Sequence, residues 1–312
     1  MTEPDPPDTG RSPSDRGHLL TEQRNPRSER LDEMSARAIV DLINDDDAGV
    51  IAAVRSQADA IARAVDLAAR SLRAGGRIVY CGAGTSGRLG VLDAAECIPT
   101  FGAPPGRVVG LVAGGREALV RPVEFAEDDP ADGAAEIAAV DVGPDDTVVG
   151  IATGGTTPYV VGALEEAARR GARTVFLLCC DPAHAPFRPD VLITPLVGPE
   201  VLTGSTRMKA GTATKLILNT ISTGAFVLVG KTYGNLMVDL VVTNAKLADR
   251  AERILMAVVG LSREAARALL ARAEGRVKTA IVMGRLGLDR AAAEARLDAL
   301  NGSVRRAVEP AP

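Results

Sequence analysis

The stretch Ile78-Val79-Tyr80-Cys81-Gly82-Ala83-Gly84-Thr85-Ser86-Gly87-Arg88 runs from a β-branched segment through a glycine-rich turn into a helix-compatible segment. Glycines let a backbone come close to an anion. The free N–H groups of a helix start, with the Thr85 and Ser86 hydroxyls, can bind phosphate oxygens. A Walker loop is excluded, because the closing Gly-Lys-Ser/Thr is missing. A dinucleotide fingerprint fits only loosely, because no acidic residue stands clearly about 20 positions later. The plain alternative is a tight strand-to-helix turn. The unbroken row of small and polar residues favours an anion site at Gly84, Thr85, Ser86 and Gly87.

Outward from this stretch the signature repeats. Residues 108–112, 148–151, 175–178 and 191–193 are β-branched or apolar runs, each closed by glycine or small polar residues, with helical segments between them. Such alternation predicts an α/β fold, a doubly wound parallel sheet covered on both faces. Its ligands are expected beyond the carboxyl ends of the strands. Ahead of the sheet, a helix is expected after a Ser28 cap, through Leu31, Met34, Ile39, Leu42 and Ile43. A second is expected from near Asp46, with Val50, Val54, Ile61, Val65, Ala68 and Leu72 at helical steps, ending at Gly75-Gly76. The Pro-rich residues 1–20 read as a disordered tail. From Gly204 on, long helices are expected, one over 216–227, another over 236–247, and a compact three-helix unit from Ser262. The expected division is a tail at 1–20, a sheet domain with N-terminal helices at 21–250 and a small helical domain at 251–312.

The 46% hydrophobic content of the 312 residues supports a sizeable core. With 3% aromatics and no Trp, that core is built of Ala, Val, Leu and Ile, and few rings are left to stack on bases. A net charge of -4 argues against nucleic acid or a membrane surface as partner. No apolar run is long enough to span a bilayer, and the polar start is unlike a signal peptide, so a cytoplasmic location is expected. Cys81, Cys97, Cys179 and Cys180 lack zinc-site spacing and read as buried thiols, with no metal expected. The two histidines, His18 in the tail and His184 in a loop, leave acid–base chemistry to carboxylates, Lys, Tyr or Cys.

Four further segments carry candidate groups. Asp93-Ala94-Ala95-Glu96-Cys97 lies late in the helix after the glycine turn, with Pro99 expected to break that helix. Asp93 and Glu96 are spaced to share a face, and Glu96 sits where the helix dipole disfavours negative charge, which suits a group that must sometimes hold a proton. On pattern alone, a solvated face is the stronger reading of Glu96. The acidic run 124–129, containing Glu127, reads as an exposed helix. Thr153-Gly154-Gly155-Thr156-Thr157-Pro158 is a second hydroxyl-bearing turn after a strand, and two such turns suggest a phosphosugar held between strand ends. In 198–212, Glu200, Ser205, Thr206, Arg207 and Lys209 crowd the start of a long helix, whose hydroxyls, N–H groups and cations can bind and neutralise oxygens.

At these residues the chain resembles the N-acetylmuramic acid 6-phosphate etherases of the SIS (sugar isomerase) superfamily, and their relative, the glucokinase regulatory protein. The marks are GAGTSGRLGVLDAAEC at 82–97, GPEVLTGSTRMKAGTATK at 198–215 and GNLMVDLVVTNAKL at 234–247, in a match running from Thr21-Glu22 through the C-terminal helices. The resemblance implies a doubly wound SIS domain, a small C-terminal helical domain, a homodimer and no metal or organic cofactor. It implies that Glu96 is the catalytic glutamate and Glu127 a second functional one. One departure stands out. The family commonly reads Ala-Ser-Gly-Arg-Thr-Pro where this chain has Thr153 to Pro158, so a serine and an arginine are lost, with Thr153 or Thr156 available to replace the hydroxyl.

The implied reaction removes D-lactate from C3 of the sugar phosphate and adds water, a step of amino-sugar catabolism and peptidoglycan recycling. A carboxylate that takes one proton and returns one serves both halves. Two alternatives are a non-catalytic sugar-phosphate sensor, which in the regulatory protein has two SIS domains where this chain has room for one, and an aldose–ketose isomerase, which leaves the Glu96 segment unexplained.

Overall fold

Buried on both faces, the strands of this protein read as apolar runs because a parallel sheet leaves neither face to water. The structure, a computed structural model, describes residues 17–242 and 244–309, so most of the expected tail lies outside the described residues. The sheet strands are β1 Ile78–Gly82, β2 Val108–Val112, β3 Thr147–Ile151, β4 Arg173–Leu177 and β5 Val191–Ile193. All neighbours are parallel, in the order β2-β1-β3-β4-β5. Strand order reverses between β1 and β3, and in such sheets the crevice at that switch point is where ligands bind.

The helices in chain order are α1 Ala36–Asp47, α2 Val50–Arg55, α3 Ala58–Ala74, α4 Gly84–Phe101, α5 Pro130–Ala139, α6 Pro158–Arg169, α7 Lys209–Leu228, α8 Ala245–Val259, α9 Arg263–Arg272, α10 Val277–Leu286, α11 Arg290–Ala299 and α12 Val304–Val308. On one face of the sheet α3, α4 and α7 close a core around Tyr80, Val149, Ile217 and Phe226. On the other, α5 and α6 bury Ile137, Tyr159 and Leu164 against Val79, Val148 and Phe176. A separate apolar cluster joins α8 to α12 and reaches back to Val238 and Leu240, ahead of position 251.

Five local expectations fail for physical reasons. Ser28 does not cap a helix. Its hydroxyl donates to the Asn25 carbonyl within a short 3-10 turn, and α1 starts instead at Ser35, whose side chain accepts from the Ala38 N–H. The expected second helix is interrupted at Gln57, whose side-chain oxygen is diverted to the Thr194 N–H at the end of β5. Pro99 does not break α4. A proline this close to a helix end removes one N–H and leaves the earlier turns intact, and α4 runs on to a left-handed Gly102 cap. Residues 124–129 form no helix, because Phe125 takes a left-handed conformation (φ 59) and Asp129-Pro130 starts α5, with the Asp129 side chain on the Ala131 N–H. Residues 236–242 are extended or irregular, and α8 begins only after Asn244, whose side chain accepts from the Leu247 N–H.

Candidate active site

The register of the sheet brings the candidate loops together. Gly82 pairs with Val112 on one side and with Ile151 on the other, so the chains leaving β1, β2 and β3 start from one rung at the switch point. The first becomes the Ala83–Arg88 turn, the second carries Glu127, and the third is the Thr153–Pro158 turn. Thr85 also meets the start of α7, its methyl 3.6 Å from where a Cβ on Gly211 would stand.

At the first turn α4 is pressed onto β1. A Cβ on Gly87 would lie 2.5 Å from the Gly82 carbonyl oxygen, so only glycine permits this approach. Ala83 occupies the N-cap in an extended conformation and supplies no capping side chain. Among the described residues no hydrogen bond is formed by the N–H groups of Gly84, Thr85 or Ser86, and the Ser86 side chain is buried beside them. Exposed donors at a helix start with a hydroxyl at hand are what a phosphate needs.

The second turn is built differently. Its helix, α6, starts with Pro158, which has no N–H, and the Tyr159 N–H donates to the Glu127 carbonyl. That bond fixes the exposed Glu127 beside the turn. Gly155, at φ 77, bends the chain so that Thr153 and Thr156 are half-buried. Beside Gly154 the nearest atom to a would-be Cβ is the Thr21 hydroxyl at 3.7 Å.

The third segment runs against expectation. Glu200 is 0% exposed, and its two carboxylate oxygens accept from the Lys209 and Ala210 N–H groups, both at 3.0 Å. The start of α7 is therefore already occupied by an anion of the chain itself. Lys209 is 4% exposed, and its ammonium lies 2.7 Å from Asp46 Oδ2. Burial pushes the Glu200 carboxyl up from its usual range, against the pull of the two N–H groups and of Lys209. Ser205 and Thr206, half-buried in the turn before α7, keep their side chains accessible.

Asp93 and Glu96 do not share a face. Asp93 turns inward and accepts from Tyr80 (2.9 Å), Asn219 (2.6 Å) and Ser222 (3.2 Å), which ties α4 to β1 and α7. Glu96 turns outward and is exposed. It stands twelve residue steps along the helix from Gly84, about 18 Å along the axis. A hexose 6-phosphate places only roughly 7 Å between phosphorus and C2. Glu96 is thus out of reach of a sugar whose phosphate sits on the start of α4 in the same chain.

The chain is 57% identical over 269 residues to the N-acetylmuramic acid 6-phosphate etherase of Gloeobacter violaceus, covering 86% of this chain and 88% of the relative. It is 53% identical over 267 residues to the etherase of Rhodopirellula baltica, covering 85% and 88%. The chain belongs to the N-acetylmuramic acid 6-phosphate etherase family. A profile of the glucokinase regulatory protein N-terminal SIS domain matches residues 60–168, from α3 to α6. A phosphoheptose isomerase from Neisseria gonorrhoeae matches with a TM-score of 0.47 at 18% identity, over 61% of this chain and 98% of that one.

In this member of the etherase family all four cysteines are buried and free. Burial pushes the Cys81 and Cys97 thiols up to about 12, and Cys180 to about 11, so none is a ready thiolate. Among the described residues no three His, Cys, Asp or Glu side chains gather as a metal site requires. Sequence reasoning missed the wall behind the third segment, formed by Asn25 and Asp46. The Asn25-Pro26 pair, a turn signal, was the available clue.

Proposed function

We propose that this protein cleaves the D-lactyl ether of N-acetylmuramic acid 6-phosphate, giving N-acetylglucosamine 6-phosphate and D-lactate, as a carbon–oxygen lyase of cytoplasmic cell-wall sugar recycling. The observation that carries the reading is the open start of α4 on the same sheet rung as the Glu127 loop and the Thr153–Pro158 turn, in a chain of this family. The phosphate rests on the N–H groups of Gly84, Thr85 and Ser86, with Gly87 allowing the approach. The hydroxyls of Thr85, Ser86, Thr153, Thr156, Ser205 and Thr206 line the surround. Glu200 and Lys209 form the wall behind it. Among the described residues no helix is long and apolar enough to cross a membrane.

In the open-chain sugar the C1 aldehyde acidifies the C2 proton. A carboxylate takes that proton, the C3–O bond breaks, and the leaving lactate oxygen is protonated. Water then adds its oxygen to C3, and a proton returns to C2. We assign the acid–base role to Glu96, and to Glu127 the orienting of the sugar or the second proton. Because Glu96 stands about 18 Å from its own anion turn, the Glu96 that acts is the one from a second copy in a homodimer. The outward face of α4 supports this, since Leu92 beside Glu96 is 53% exposed.

Incubation with N-acetylmuramic acid 6-phosphate in oxygen-18 water, with D-lactate assayed, tests the reaction. Lactate with label at C3 is expected. Saturable sugar-phosphate binding without lactate moves the reading to a sensor. Glu96→Gln is expected to lower turnover about a thousandfold, or about 4 kcal/mol, with binding kept. Mixing inactive Glu96→Gln with inactive Ser86→Asp chains is expected to restore activity through heterodimers with one intact site. No restoration sinks the shared site.

A further inference from the structure

A buried polar cluster lies directly behind the third segment of the site. The Lys209 ammonium is 2.7 Å from Asp46 Oδ2, and both side chains are under a tenth exposed. Asp46 Oδ1 accepts from the Asn25 side-chain amide at 3.2 Å, and the same amide donates to the Pro199 carbonyl at 3.1 Å. Next in the chain, Glu200 holds the Lys209 backbone N–H. Four elements meet here: the strap of residues 19–28, the end of α1, the 198–200 turn and the start of α7. The same strap lies over the Thr153–Pro158 turn, where the buried Leu19 and Thr21 border Gly154, and Glu22 reaches within 3.4 Å of a would-be Cβ on Gly204.

We propose that Lys209, Asp46 and Asn25 act as positioning residues, which lock the strap and the 198–210 segment into one wall against the sugar phosphate, and that Lys209 does not itself bind the phosphate. The charges argue for this. The buried Lys209 ammonium is already paired at 2.7 Å with Asp46, whose other oxygen lies 3.8 Å from the half-exposed Arg27 guanidinium, so it reaches a dianion only if Asp46 releases it. Its backbone N–H is taken as well. Lys209 thus tethers two elements through its two ends, and its withdrawal would free the strap and the anion-facing turns together. The inference rests on the sugar-phosphate reading of the site.

The test is a double-mutant cycle of Asp46→Asn and Lys209→Met, read by KM and kcat for the etherase reaction and by amide hydrogen exchange of the ligand-free chain. Each single change is expected to raise KM about tenfold or more with kcat within about threefold, and the double variant to be no worse than either single one. In the ligand-free chain, amides of residues 20–28 and 198–210 are expected to exchange about tenfold faster in both single variants, with α5 and α6 unchanged. A direct phosphate ligand behaves otherwise: Lys209→Met raises KM while Asp46→Asn leaves KM and strap exchange as in the wild type, and that result overturns the proposal. If the charged variants do not fold, Asn25→Ala, which removes a neutral side chain, carries the same expectation for strap exchange, and unchanged exchange overturns the proposal. The exchange measurement needs no substrate, and wild-type lactate release judges the etherase reading separately.

Discussion

Two helices begin on the ligand side of the sheet with similar sequences and opposite fates. α4 opens with Gly-Thr-Ser-Gly after Ala83, and α7 opens after Gly-Ser-Thr-Arg-Met. Both offer small residues, hydroxyls and a nearby cation. The α4 start has no capping side chain and keeps its first N–H groups open, whereas Glu200 folds back onto the α7 start with both oxygens. A helix start attracts an anion in either case. What differs is whether the chain supplies that anion itself. An open start leaves room for a ligand, and a filled one builds a wall.

The contrast is most directly broken by giving α4 what α7 has. Ala83 already has the extended backbone of an N-cap, so Ala83→Asp places a carboxylate on the donors that we assign to phosphate. KM is expected to rise at least about a hundredfold, or about 2.7 kcal/mol, while thermal stability holds or improves. A variant with unchanged KM and higher stability would move the phosphate elsewhere. Glu200→Gln is the converse change. One oxygen remains and an amide NH₂ meets the second N–H, so urea denaturation is expected to show a loss of about 1–3 kcal/mol. Ser86→Ala removes one hydroxyl from the open start and is expected to raise KM about tenfold, or about 1.4 kcal/mol, with the denaturation midpoint unmoved.

The smallest expected effect is on pH dependence. Glu200 has a raised pKa, so the native state keeps that proton to higher pH than the unfolded chain does. The stability tied to it is full below the ordinary Glu value of about 4.3 and is lost as pH rises through the native value. The stability gap between wild type and Glu200→Gln should therefore narrow as pH rises from 4, by less than about 1 kcal/mol. Asp146 has the opposite sign. Burial pushes its carboxyl up, but the Arg77 side chain and the Gly143 and Arg77 N–H groups pull it below the usual range. Its contribution is present above the ordinary Asp value and is lost as pH falls through the native one. A gap that widens with pH would mean that the two N–H groups and Lys209 outweigh burial at the Glu200 carboxyl.

Much of this was legible in the sequence. The five strands lie where the β-branched runs placed them, because burial on both faces of a parallel sheet leaves no polar alternation to confuse the pattern. The glycine turn at 82–87 was legible because close approach demands glycine, as the Gly87–Gly82 contact shows. The acidic run at 124–129 misread as helix because a left-handed Phe125 carries no sequence signal. Asp93 and Glu96 were expected on one face. Three residues apart they differ by a fraction of a turn, and packing against Tyr80 and Asn219 decided which pointed inward.

By itself the sequence determined the α/β alternation, the location of the glycine turn and the family, since these depend on local backbone chemistry and on long motif runs. Only the tertiary structure decided which helix start stays open, that Lys209 is tied to Asp46 across 163 residues of chain, and that Asp93 turns inward while Glu96 faces outward far along α4. These outcomes depend on distances between groups remote in sequence. A motif read along the chain carries no such distances, and the fold sets them through packing.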